Sequence, residues 1–169
     1  MSLKDELIEE YFKTQIREGD VVGLETHKKD WQSKSSAAEG LLADFRKRVD
    51  EVEGKKVLDI GFGNGLIAIA FSKAGAEIYG VEVNQKLLSI AREIAKSENK
   101  RIQFEHYDGK KLPFENSFFD YIFCTSVLEH VTHKEELLRE MARVLKQGGK
   151  VYLAFPNKLA LKETHTGLY

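Results

Sequence analysis

Three glycines at alternate positions, Gly61, Gly63 and Gly65, follow directly on the run Val57-Leu58-Asp59-Ile60. A short buried strand that breaks into such a turn lets backbone N–H groups approach a ligand closely, because no Cβ stands in the way. Leu66-Ile67-Ala68-Ile69-Ala70-Phe71 then opens a helix. A strand-to-helix turn of this kind is where α/β sheets hold nucleotides. Asp59 lies inside the strand segment, and a buried carboxylate must be hydrogen-bonded or paired. Glu82 closes a second alternating run, where a carboxylate can accept hydrogen bonds from both hydroxyls of a ribose. Val83 follows, placed to pack on an adenine face. Glu129, His130 and His133 put a carboxylate and two imidazoles within five residues. Those types can ligate a metal, but a helix start directs them apart and no second group of acids accompanies them, so no metal is expected.

The elements that position these residues alternate. Lys56–Ile60, Glu77–Glu82, Ile102–His106, Phe119–Cys124 and Lys150–Phe155 read as strands. Helices are expected from Leu66 to Lys73, after a cap at Asn84, and after the capping box Thr132-His133-Lys134-Glu135, with Gly148-Gly149 ending the last one. Strands separated by helices imply parallel pairing with right-handed crossovers. The fold class is therefore α/β, a doubly wound and mostly parallel sheet in the order 3-2-1-4-5 with helices on both faces. Its ligand belongs at the switch between strands one and four.

Residues 1–53 form a helical cap segment and residues 54–169 the core, within one domain overall. In the cap, Leu7, Ile8, Tyr11 and Phe12 make one amphipathic helix. A second helix is expected after the capping box Ser36-Ala37-Ala38-Glu39, following a polar stretch from Gly19 to Ser35. The chain is 42% hydrophobic and 31% charged, with 26 basic and 27 acidic residues. A net charge of −1 carries no footprint for nucleic acid. No apolar run is long enough to span a membrane, and Cys124 alone permits no intrachain disulfide. The expected location is cytoplasmic.

The dinucleotide fingerprint wants a third glycine where Leu66 stands, which weakens a nicotinamide-dependent oxidoreductase reading. The pattern acid-x-Gly-x-Gly-x-Gly resembles instead the first motif of class I S-adenosylmethionine-dependent methyltransferases. Phe119-Asp120-Tyr121-Ile122 through Leu128-Glu129-His130 resembles the fourth motif of the small-molecule branch, the methyltransferase-11 type. With Leu145-Lys146-Gln147-Gly148-Gly149, the resemblance runs from Lys56 to Pro156.

The resemblance implies S-adenosylmethionine as cofactor and S-adenosylhomocysteine as product. It implies that Asp59, Gly61, Gly63, Asn64, Gly65, Glu82, Val83, Asp108, Gly109 and Thr125 bind the cofactor. Asp59 would hold the glycine loop and face the methionine amino group, and Asp108 would bond the adenine amine. The expected reaction is methyl transfer to O or C of a small-molecule acceptor. His130 is the candidate general base, with Glu129 shaping the acceptor pocket and His165 a second base candidate. No Asp/Asn-Pro-Pro-Tyr segment follows strand four, which argues against the family's amine-methylating nucleic-acid and glutamine branches. The family normally adds a helix and two antiparallel strands after strand five, and these are missing. Strand five is then expected at an edge, open to a homodimer partner. A catalytically incomplete module that binds the cofactor is the alternative.

Overall fold

The computed structural model describes residues 1–15 and 23–154. His165, Phe155 and Pro156 lie outside these residues. The elements run α1 (Leu3–Lys13), α2 (Leu24–Arg48), β1 (Lys56–Ile60), α3 (Leu66–Lys73), β2 (Glu77–Glu82), α4 (Gln85–Ser97), β3 (Gln103–His106), β4 (Phe119–Thr125), α5 (Lys134–Val144) and β5 (Leu145–Ala154). One five-stranded sheet has the order β3-β2-β1-β4-β5, and every pairing is parallel. Asp59 stands opposite Gly80 on one side and Phe123 on the other.

Each face of the sheet buries its own apolar set, as parallel strands require. Val57, Ile78, Tyr121 and Phe123 pack with Phe45 of α2 and Phe71 of α3. Phe71 and Phe123 meet edge to face at 4.5 Å, and Phe45 lies 4.9 Å from Phe123. Such aromatic contacts each add about 1 kcal/mol beyond the area they bury. On the other face Leu58, Ile60, Val81, Phe119 and Ile122 pack with Leu137, Met141 and Val144 of α5. A third cluster joins α1 to α2, α3 and α4 through Leu7, Ile8, Tyr11, Phe12, Trp31, Ile69 and Ile94. Arg143 of α5 ties the connection between β3 and β4 by donating to the carbonyls of Leu112 (2.9 Å) and Phe114 (2.8 Å).

Helix α2 departs from expectation. It runs unbroken from Leu24 to Arg48, with Gly23 as its N-cap, so Ser36 sits in mid-helix and caps nothing. Its buried residues His27, Trp31, Ala38 and Phe45 recur at helical spacing. That stripe extends through the polar stretch because His27 stacks on Phe12 at 4.7 Å. Helix α5 is capped by His133, with no side-chain cap bond, so the box at Thr132–Glu135 does not form. Gly148 (φ +77°) and Gly149 do not end α5 either. They lie in β5, where the register jumps between Leu145, opposite Phe119, and Lys150, opposite Tyr121. Leu138 projects outward and is exposed, leaving the α5 stripe to Leu137, Met141 and Val144.

Candidate functional site

The ends of β1, β2 and β4 and the turns after them surround a hollow of about 630 Å³. Gly61, Gly63, Glu82, Val83, Asp108, Gly109 and His130 all line it. The glycine turn needs its residue type. Gly61, Gly63 and Gly65 have φ of +68°, +54° and +73°, in the left-handed region that side chains disfavour. A Cβ on Gly61 would collide with Val127, whereas Gly63 faces open space, a cradle that a side chain would fill.

Glu82 is buried at the floor of the hollow. Its Oε2 accepts from the Gly63 N–H at 3.2 Å, and its Oε1 accepts from the N–H groups of Val83 (2.9 Å) and Asn84 (3.1 Å). One carboxylate thus ties the glycine turn to the start of α4. Asp59 lies beneath, 2% exposed, and its Oδ2 has no hydrogen-bond partner among the described residues. Burial, and then the neighbouring Glu82 charge, push its carboxyl up to about 7. Asp108 stands at the rim, where the N–H groups of Lys110 and Lys111 bond its Oδ1 and hold its carboxyl below the usual range. Val83 is exposed there, with an apolar face available to a flat ring.

The remaining expected residues separate. Asn64 and Thr125 line a smaller hollow of about 280 Å³, between α2 and the ends of β4 and β5. Asn64 Oδ1 also accepts from the Leu66 N–H at 3.1 Å at the start of α3. Gly65 does not line the larger hollow. It is buried where a Cβ would lie 3.2 Å from Phe104 and 3.3 Å from Ala91, so it packs the turn on α4 and β3. Glu129 is exposed and lies outside the lining of the larger hollow. His130 does line it, on the segment after β4, with its backbone N–H donated to Val127 O at 2.9 Å. Burial pushes the Cys124 thiol up to about 12, which leaves it an inert core side chain.

Several lining residues were not foreseen. Tyr11 and Gln15 come from the end of α1, Tyr107 precedes Asp108, and Ser126 (φ +55°) and Val127 follow β4. No motif marks Tyr11 or Gln15, since only packing of α1 on α2 and α4 brings them to the hollow. Tyr107 had a signal, an aromatic residue beside the Asp108-Gly109 turn. Among the described residues no three His, Cys, Asp or Glu side chains gather as a ligand set for a metal. A wider depression beside α4, with Arg92, Lys96, Lys100 and Arg101, lies at the opposite end of the sheet.

A parallel sheet with a glycine turn after β1, an acid ending β2 and an acid after β3 is the frame of a class I S-adenosylmethionine-dependent methyltransferase. The model of the methyltransferase-domain family matches residues 58–153, more than half of the sequence, and the chain belongs to that family. The ubiquinone biosynthesis O-methyltransferase of Coxiella burnetii is 33% identical over 107 residues, which cover 63% of this chain and 46% of that protein. Methyltransferase GfsG of Streptomyces halstedii is 34% identical over 123 residues, covering 71% and 44%. A solved structure of a Pyrococcus horikoshii protein is 31% identical with a TM-score of 0.63, over 73% of this chain and 57% of that one. The chain spans about half the length of the curated relatives it matches. The family's cofactor is S-adenosylmethionine. Two features of the larger hollow fit that cationic nucleoside: Glu82 on its floor, and the unpartnered Asp59 oxygen beneath.

Proposed function

We propose that the chain binds S-adenosylmethionine in the larger hollow and transfers its methyl group to a small-molecule acceptor, at oxygen or carbon. The observation that carries this reading is the pair of buried carboxylates, Asp59 and Glu82, beside the open face of Gly63. Oxygen is the favoured acceptor atom, because the Coxiella relative bears the name of an O-methyltransferase.

When bound, the cofactor supplies an electrophilic methyl on a sulfonium whose sulfur leaves as a neutral thioether. The chain's own work is positioning, excluding water and moving a proton. Glu82 Oε2, with one backbone donor in place, keeps a lone pair for a ribose hydroxyl. Val83 covers the adenine face, Asp108 accepts from its amine through the oxygen that Lys110 and Lys111 leave free, and Gly109 offers its N–H. Asp59 sheds the proton it holds in the free chain and so becomes a counter-charge to the cofactor's cation. Tyr11 and Gln15 close the side of the hollow toward α1. His130 takes the proton of a hydroxyl or an acidic carbon.

Titration calorimetry with S-adenosylmethionine, S-adenosylhomocysteine and NAD tests the reading. We expect micromolar binding of the first two, weakened about tenfold or more by Glu82→Ala, and no binding of NAD. Binding of NAD alone would refute it. A second reading is a chain that binds the cofactor without transferring its methyl group. Binding without methyl transfer to any acceptor in a broad screen would select that reading. We also propose a cytoplasmic protein, consistent with its single cysteine. Among the described residues no helix is long and apolar enough to cross a membrane. Among the described residues β5 is one edge of the sheet, with Val151 and Leu153 exposed, and we propose it as the strand on which a second copy would pair.

A further inference from the structure

We propose that the depression between the C-terminal end of α4 and the start of β3 binds a compact polyphosphate group, two or three linked phosphates, whether free or borne by a nucleotide. Its lining draws four cations together, Arg92 and Lys96 of α4 and Lys100 and Arg101 of the segment that follows, and includes no Asp or Glu. The chain as a whole carries a net charge of −1, so this concentration of one sign is local. The backbone builds the turn that gathers them. Asn99 takes a left-handed φ of +53°, and the N–H groups of Asn99 and Lys100 return to Lys96 O (3.0 Å) and Ala95 O (2.8 Å). That closure is a Schellman motif, and it reverses the chain so that Lys100 and Arg101 come back beside Arg92 and Lys96. Backbone donors thus satisfy the Ala95 and Lys96 carbonyls, and the cations are not needed for that task.

Arg92 donates from one terminal nitrogen to Phe104 O at 2.6 Å, which fixes its guanidinium while its other N–H groups remain for a ligand. Lys100 and Arg101 enter no ion pair among the described residues. Lys96 meets only Glu93, at 3.8 Å between exposed side chains, a contact worth little. Glu98, the acid at the helix end, is turned to Lys4 of α1 and Lys73 of α3 instead. Ala95 and Ile102 add apolar surface to the lining, and low-dielectric walls strengthen attraction to a charged ligand. The volume of about 750 Å³ lies within the range of small-ligand clefts. One phosphate carries about two negative charges at neutral pH, so linked groups are needed to meet four positive ones. The lining holds no aromatic ring on which a base would stack, and Glu93 and Glu105 stand exposed beside it in the chain, which disfavours a running nucleic-acid strand. No residue is shared with the hollow that holds Glu82, so an occupant does not compete with the cofactor and the inference stands apart from that reading.

The test is titration calorimetry of the 169-residue chain with tripolyphosphate, ATP and inorganic phosphate, at physiological salt and without divalent metal. We expect micromolar binding of tripolyphosphate and at least tenfold weaker binding of inorganic phosphate. Lys100→Gln combined with Arg101→Gln should weaken tripolyphosphate at least tenfold, with circular dichroism confirming the fold. Lys29→Gln combined with Lys34→Gln removes the same charge from exposed positions of α2 and should change binding less than twofold. ATP binding that falls with the Lys100 and Arg101 changes would name a nucleotide as the source, and ATP binding indifferent to them a free polyphosphate; both results support the site. Equal losses in the two double variants would reduce the attraction to overall charge and overturn the proposal. No binding of tripolyphosphate by the unaltered chain would overturn it too. So would tighter binding of an oligoglutamate peptide or of single-stranded RNA, either of which would give the surface to a macromolecule.

Discussion

Replacing Asp59 by Asn should remove a large pH dependence from the stability of the chain. Burial, and then the charge of Glu82, favour the neutral form of Asp59, whose Oδ2 has no hydrogen-bond partner among the described residues. Cys124 of β4 also feels Asp59 but stays neutral, its thiol pushed up to about 12. With the Asp59 carboxyl raised from 3.8 to about 7, the folded state holds a proton that the unfolded chain has already released. The folded state binds more protons across that window, so stability falls as pH rises. The contribution is fully present below pH 3.8 and is lost by about pH 8. Its size is on the order of 4 kcal/mol, from a span of roughly three pH units at 1.36 kcal/mol each.

Urea denaturation at half-unit steps from pH 5 to pH 8.5 measures this directly. Carboxyls held low by partners, such as Glu98 beside Lys4 and Lys73, act below about pH 4.5, and the variant keeps every histidine, so the difference between the two profiles isolates Asp59. The unaltered chain should lose stability steadily to about pH 8, while Asp59→Asn should show a much flatter profile and be the more stable of the two at pH 8. A flat profile for the unaltered chain, or the same slope in the variant, would refute the reasoning.

His130→Ala should lower the turnover number about a hundredfold and leave S-adenosylhomocysteine affinity unchanged in calorimetry, since the imidazole is assigned to the proton and not the cofactor. Gly80→Ala should cost about 2 kcal/mol in urea denaturation, because its Cβ would lie 2.6 Å from both Phe62 and Phe104. Arg143→Ala should cost about 3 kcal/mol, since it strips donors from the Leu112 and Phe114 carbonyls and leaves Glu140 without its cation. Hydrogen exchange should locate that loss in residues 107–118.

What was legible in the sequence was local. β1, β2 and α3 end where their apolar runs meet glycine or an acid, and Asn84 caps α4 by accepting from Lys86 and Leu87 N–H. The strand order followed from alternation and handedness. α2 is longer than its pattern suggests because Ser36 matches a capping box in mid-helix and because His27, an inward position before it, is a residue that a search for apolar side chains passes over. Thr132 and Glu135 matched a capping pattern, but the chain enters α5 with His133 at φ −104° and ψ 65°, where that box cannot close. Gly148-Gly149 was misplaced because a bulge in a strand and the end of a helix ask for the same residue. The smaller hollow had no motif, since its walls come from residues more than a hundred positions apart, Lys34 and Tyr152 among them.

The anchoring of α2 sets how this protein can diverge. One end of the helix is fixed by Phe45 against Phe71, Tyr121 and Phe123, so new side chains elsewhere on it change the shape of a wall rather than tilt the whole helix. Positions 34, 37 and 41 can therefore drift, or be randomised in a library, while the carboxylates beneath the glycine turn stay as they are. Such a library would reshape the hollow that Asn64 and Thr125 line without touching Glu82 or Asp108, which line the other one.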